Sequence, residues 1–357
     1  QAIEIGMSPV AIGAMAASFA VVSLGAAIPL GRYIDRRGER GVLIAGALAT
    51  AMGPALLWWG ASSFGLIVLS AVLGVGHLFN LLAQQSLIAR AIDGEGADAA
   101  FGVFSIVAAA AQASGPVLLT AIAGDATHPS TSPLFATASG LAATAVVAVL
   151  WLKMPVAAVG RAQGSWRGQL RDTVRIPGFF VVAGASIAVL STIDLISVYL
   201  PLLASERGIG AASVGVILAV RAGATVAPRL FLDPLVRAFG RMQVLTASLA
   251  LATIGMALLV IDLPTALLMA AVAVVGVGLG AGQPLTAAWI AQEAPPHLRS
   301  SALAVRLVGH RVGQIAVPLL GGALATAVGS TAGAFIGAAL FLGAAGGACA
   351  RGVGHSP

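Results

Sequence analysis

The sequence predicts an all-α membrane protein, and three observations carry that prediction. The 357 residues are 59% hydrophobic and only 9% charged, with a mean hydropathy of +0.99. A soluble domain of this length needs far more charge to cover its surface. Apolar runs of about 20 residues, long enough to cross a bilayer, recur from end to end. The few charges gather at the ends of those runs, most densely in GRYIDRRGER (31–40), which holds four arginines, Asp35 and Glu39.

Eleven spans are predicted, at 8–30, 41–60, 64–89, 99–123, 133–152, 176–204, 211–232, 242–261, 264–291, 301–328 and 331–350. Turn and breaker signals such as SSFG, GDATHPSTSP, SERGIG, IDLPT, APPHLRS and VGST separate them. Taken alternately, the connections put Arg32, Arg36, Arg37, Arg40, Arg90, Lys153, Arg161, Arg167, Arg171, Arg175, Arg237, Arg241, Arg299 and Arg351 on one side. Only Arg207 falls on the other. Lys and Arg mark the cytoplasmic face, so the sequence predicts a multi-pass protein of the cytoplasmic (inner) membrane with the 31–40 bend inside. Trp58 and Trp59 at an outer helix end, and Trp151 at an inner one, fit interfacial anchors. Abundant Gly and Ala suit helices that pack closely in lipid. Cys349 is the single cysteine, so neither an internal disulfide nor a metal cluster is expected. The formal charge of +6 does not point to nucleic acid, because the cations sit at span ends rather than in a patch with interleaved aromatics. A single lysine among 19 basic residues fits the codon supply of a GC-rich bacterial genome.

An internal repeat organises the chain. At an offset of 202 residues, Gly38 aligns with Gly240, Gly74-Val75-Gly76 with Gly276-Val277-Gly278, Gln112 with Gln314 and Pro116 with Pro318. The span 176–204 then lacks a first-half partner, and an additional first helix preceding Gln1 is expected. The predicted organisation is two parallel helical bundles, 1–152 (lacking its first helix) and 176–357, joined by a cytoplasmic linker at 153–175. Parallel halves of this kind are a transporter architecture. Within the linker, SWRGQLRDTVR sets Trp166, Leu170 and Val174 on one helical face and Arg167, Arg171 and Arg175 on another, as in a basic amphipathic helix or a solvated charged linker.

With the bend placed between the second and third helices of a six-helix half, GRYIDRRGER resembles the loop 2–3 signature of the major facilitator superfamily. Gly31, Asp35, Arg36, Gly38 and Arg40 stand at the matching positions. The resemblance covers essentially the whole chain and implies that fold: two pseudo-symmetric six-helix bundles, here with 11 transmembrane helices. It also implies that the bend is a conformational latch. The physical reading agrees, since Gly31 permits close helix approach, Gly38 a tight turn, and Asp35 the acceptance of hydrogen bonds at a helix N-terminus. The second-half copy is degraded, with Asp233 for Gly31, Arg237 for Asp35 and Met242 for Arg40. A second, partial likeness is to the Gly-Pro antiporter signature of drug exporters, carried by Gly115, Pro116 and, in the other half, Pro318 as helix-kink positions. Ser70 stands where proton-linked exporters carry a fourth-helix arginine, a departure from the exporter pattern.

Ionisable residues at membrane depth are costly and usually mark function. Asp194, about 15 Å below the outer end of its helix, and Arg221 on the next helix are candidates to pair. With His310 they form the proton-coupling candidates. Arg306, His310 and Gln314 form one helical stripe with Arg311 beside it. Arg306 is near the inner end, where snorkelling also accounts for it. A fourth-helix stripe adds His77, Asn80 and Gln84, with Gln85 alongside, and its repeat adds Gln283 and Trp289. Arg311, Gln314, Arg306, His77, Asn80, Gln84, Gln283 and Trp289 are thus the substrate-cavity candidates.

The function these residues suggest is secondary transport of a small organic solute by alternating access, as proton-coupled export. Organic-anion uptake or facilitated exchange is the alternative, and a transport-dead receptor or scaffold a third reading. No nucleophile elbow, H-E-x-x-H, carboxylate dyad or Walker sequence occurs, so neither an enzyme nor an ATP-driven pump is expected. No cofactor is expected, the proton gradient being the energy source, and the expected partners are the solute and the lipid bilayer around a monomer.

Overall fold

The computed structural model describes residues 9–56, 62–92, 96–123, 131–151, 166–209 and 211–353. Trp58, Trp59, Lys153 and Arg161 lie outside them. Among the described residues all regular structure is helical, in fourteen helices. They are α1 (Pro9–Arg37), α2 (Arg40–Leu56), α3 (Ser63–Ala91), α4 (Ala97–Ala123), α5 (Thr131–Trp151), α6 (Trp166–Val174) and α7 (Phe179–Glu206). There follow α8 (Ala211–Leu230), α9 (Leu232–Phe239), α10 (Arg241–Val260), α11 (Thr265–Gly280), α12 (Gly282–Glu293), α13 (Arg299–Val328) and α14 (Ala332–Val353). Among the described residues seven stretches are long and apolar enough to cross a membrane: Phe64–Ala91, Phe179–Ala204, Ser213–Leu230, Arg241–Val260, Thr265–Glu293, Arg299–Val328 and Ala332–Arg351. Shorter apolar stretches in α2, α4 and α5 add to them.

Fourteen helices arise from eleven predicted spans for local reasons. One extra is α6 in the linker, where the sequence allows either an amphipathic helix or a solvated charged linker. The other two come from breaks in the second repeat. Pro284 has no N–H to give the carbonyl of Gly280 four residues earlier, and the chain interrupts at Ala281 between α11 and α12. The freed Gly280 carbonyl accepts instead from Nε of Arg229, at 3.0 Å. Pro234 stands in the same relation to the break at Phe231 between α8 and α9.

The repeat is visible in element bounds and in packing. α3 starts and ends 202 residues before the α11–α12 pair, and α4 starts 202 residues before α13. In the first repeat α3 packs on α1 and α2, and α2 on α5; in the second, α11 packs on α8 and α10, and α10 on α14. The second-repeat core contains Leu249, Met256, Val272, Val275 and Phe335, all fully buried.

The chain forms two compact units that exchange helix halves relative to the repeats. One contains 1–91, 111–171 and 294–308; the other contains 92–110, 172–293 and 309–357. The starting third of α13 therefore belongs with first-repeat helices, and the starting half of α4 with second-repeat helices. At the far end of α7, the Glu206 carboxylate accepts from the backbone N–H of Thr331 (3.0 Å) and from the Ser330 and Thr331 hydroxyls (both 2.9 Å). It thereby satisfies donors at the start of α14, and the Thr331 backbone bond holds this carboxyl below the usual glutamate range.

Candidate functional site

The bend between α1 and α2 closes on the start of α13. Asp35 is fully buried, with Oδ1 accepting the Ser300 N–H at 3.0 Å and Oδ2 accepting the Ser301 N–H at 2.9 Å and its hydroxyl at 2.6 Å. These are first-turn donors of α13, which have no partner inside their own helix and carry the positive end of its dipole. Gly31, one turn earlier, lets the helices touch. A Cβ there would sit 2.7 Å from the Ala304 Cβ, 2.8 Å from the Ser300 carbonyl and 3.0 Å from the Ser301 Cα. Gly38 makes the turn at φ +81°, in the left-handed region glycine favours. Arg36 and Arg40 are exposed.

Arg90, at the end of α3, braces the bend. Its guanidinium lies 3.4 Å from Asp35 and 2.8 Å from Glu39, and it donates to the Ile34 carbonyl at 3.1 Å. Arg299 donates to the Ala89 carbonyl at 2.9 Å, tying the same end of α3 to α13. Burial pushes the Asp35 and Glu39 carboxyls above the usual carboxylate range, opposed by the bonds from Ser301 and Ser300 at Asp35 and by Arg90 at Glu39.

The degraded second-half copy makes an equivalent contact with its charges reversed. Gly240 turns at φ +84°, and its N–H meets the Val236 carbonyl at 2.8 Å, as Gly38 meets Ile34. Arg237, at the Asp35 position, pairs with nearby Asp233, at 3.0 Å. Arg241, at the Glu39 position, takes the leading part. Its Nε and Nη2 reach Asp98 Oδ1 and Oδ2 at 2.9 and 2.6 Å, and Nη2 also donates to Gln292 at 2.7 Å. At the 202-residue offset Asp98 corresponds to Ser300 and Gln292 to Arg90. The acid is on the bend in one repeat and on the partner helix in the other. Arg229 adds a bond from Nη1 to the Ser105 carbonyl of α4, at 2.8 Å.

Asp194 and His310 meet within the membrane. α7 and α13 approach through small residues: side chains at Gly309 and Gly313 would collide with Ile187 and Ser191. That register brings Asp194 Oδ2 within 3.3 Å of His310 Nε2, with the side chains 35% and 16% exposed. The expected pair of Asp194 with Arg221 is thus corrected: the contact partner is His310 of α13. The field of Asp194 still acts on both Arg221 and Arg311. Arg311 donates to Gln314 at 2.7 Å, one turn along the same helix.

The remaining candidates separate. Arg306 does not snorkel: it is fully buried and donates to Gln85 at 3.0 Å. Asn80 donates to Thr50 of α2 at 3.3 Å, an interhelical bond, and His77 lies 5.9 Å, ring to ring, from Phe19 of α1. Gln84 is exposed, and Gln85 beside it engages α13. Gln283 opens α12, half-buried, with its backbone carbonyl accepting from Thr286. The Trp289 ring packs where Gly178 turns at φ +80° into α7, so packing at the foot of that helix accounts for it. Positions 115, 116 and 318 fall within α4 and α13, but the side chains of Pro116 and Pro318 lie outside the described set.

The sequence model of the Major Facilitator Superfamily matches residues 2–220 and again 178–353. The chain belongs to this superfamily of transporters. Solved structures of the same fold include FucP in the outward conformation, with a TM-score of 0.81 at 15% identity, covering 97% of this chain and 90% of that one. The human organic anion transporter MFSD10 (TETRAN) matches at 0.77 and 15% identity, over 98% and 87%. The proton:xylose symporter XylE matches at 0.74 and 12%, over 94% and 84%. No curated protein matches the chain by sequence.

Proposed function

We propose that the protein is a proton-coupled secondary transporter of a small organic solute, working by alternating access in the direction of export. The Asp194–His310 contact carries the coupling proton. That contact is the observation on which the reading rests: a carboxylate and an imidazole 3.3 Å apart at membrane depth, each partly accessible. Carboxylate and imidazole side chains can each take up and release a proton, and intramembrane ionisable groups are the usual elements of proton relays. The bend at Asp35 and the contact of Arg241 with Asp98 serve as two latches, each tying the first turn of a helix from one repeat to the bend of the other. Their release accompanies each transport cycle.

A second reading is exchange of an organic anion. It is favoured by the excess of cationic groups, Arg221, Arg311 and His310, around the single carboxylate of Asp194. Proteoliposomes with an internal pH-sensitive dye separate the two readings when lipophilic cations, organic anions and sugars are added outside. Proton movement triggered by one solute class is the expected result. Solute flux without proton movement would leave the exchanger.

A further inference from the structure

We propose that the outer side of the α1–α2 bend binds one anionic phospholipid, its phosphate on Arg32, Arg36 and Arg37 and one acyl chain in the apolar groove beside them. Two adjoining cavities make the site. The first, about 390 Å³, is an apolar groove between α1, α2 and α3, walled by Ala26, Leu30, Val42, Ala45 and Phe79. The second, about 310 Å³, is lined by the three arginines. Pro29 and Tyr33 line both, so the two spaces adjoin. Arg37 lies over the Tyr33 ring at 5.5 Å from its centre, fixing the wall where groove becomes cup.

The surroundings decide the class of ligand. An open apolar groove on a membrane-spanning bundle faces acyl chains, and clustered arginines at the end of a transmembrane helix attract anionic headgroups. On α1 Tyr33 and Arg37 lie opposite Gly31 and Asp35, which are buried against α13, with Arg32 and Arg36 on the flanks between the two sides. The repeat supplies an internal comparison. A groove of about 400 Å³ lined by Pro228, Leu235, Val244 and Ala247 sits at positions 202 residues on. There Pro234, Ala238 and Phe239 replace the three arginines, so the acyl groove recurs without its cationic cup.

Native mass spectrometry of the full chain tests the site, titrating phosphatidylglycerol against phosphatidylcholine with the same acyl chains. The first phosphatidylglycerol is expected to bind on the order of tenfold tighter, given the contribution of each surface arginine to anionic-lipid attraction. Arg32→Gln with Arg37→Gln should remove that preference. Ala45→Phe, which fills the groove, should remove it too, whereas Ala247→Phe in the repeat-related groove should leave it intact. Soluble glycerophosphate should not compete at equal concentration. Equal affinity of wild type for the two lipids, or competition by glycerophosphate, would overturn the proposal without recourse to any variant. So would a preference that survives either Ala45→Phe or the arginine pair.

Discussion

Arg241→Ala is expected to release the Arg241–Asp98 contact and destabilise the start of α4. Asp98 is 5% exposed and receives both ends of the Arg241 fork, a bidentate geometry that only arginine supplies. Removing the arginine leaves a buried carboxylate without its cation, a loss of about 3 kcal/mol or more, hence a shift of on the order of a hundredfold. The reporter is Ser105→Cys, buried on α4 two turns along the same face from Asp98, in a Cys349→Ser background. Labelling of position 105 by a membrane-impermeant thiol reagent from the arginine-rich side should accelerate on that scale. Asp98→Arg alone should do the same by setting two guanidinium groups against each other. The exchange Asp98→Arg with Arg241→Asp should recover most of the protection, since Gln292 can donate to an aspartate as readily as it accepts from arginine. Failure of the exchange to recover would mean that the pair is not what holds this end closed.

Gly31→Leu should have a comparable effect on the first latch, through sterics rather than charge. Three atoms of α13 lie within 3.0 Å of the added Cβ, two of them backbone, so the helix start must move. Overpacking of this kind costs roughly 1–3 kcal/mol. Asp35→Ala removes acceptors from two backbone N–H groups and one hydroxyl at a cost of about 2 kcal/mol. Ser86→Cys, fully buried on α3, reports the change by faster labelling. The pH dependence has a definite sign. Because burial raises the Asp35 carboxyl above its ordinary value, the latched state binds the proton more tightly than the released one. Latching therefore strengthens as pH falls from the raised value towards the ordinary one, and weakens as pH rises through the raised value. In Asp35→Asn that dependence should diminish, leaving whatever Glu39 contributes.

Much of this was legible in the residues. Hydropathy and breaker signals place the spans, and the 202-residue offset recurs in helix bounds and packing because both repeats bury the same faces. Gly31, Asp35 and Gly38 occupy the roles their chemistry suggests: contact, cap and turn. The Arg241–Asp98 contact was hidden because a match of identities across the offset shows only a degraded loop. The pairing survives at the level of position, with Arg241 for Glu39, Asp98 for Ser300 and Gln292 for Arg90. Following polar positions at that offset regardless of sign would have exposed it. The helix breaks at Phe231 and Ala281 were signalled by Pro234 and Pro284, but proline inside a span is often tolerated, as Pro29 is in α1. The Asp194 partner could not be read from spacing, because it depends on which of two neighbouring helices comes closer. Gly309 and Gly313 let α13 pack against α7 so that His310 reaches Asp194.

The most direct test of coupling at Asp194 is Asp194→Asn in proteoliposomes, comparing accumulation driven by a pH gradient with solute exchange at equal pH on both sides. Asparagine keeps the shape and can still meet His310, but it cannot carry a proton. Gradient-driven movement should be lost while exchange persists. Gradient-driven movement at the wild-type level in the substituted protein would make the Asp194–His310 contact structural and place the coupling proton elsewhere.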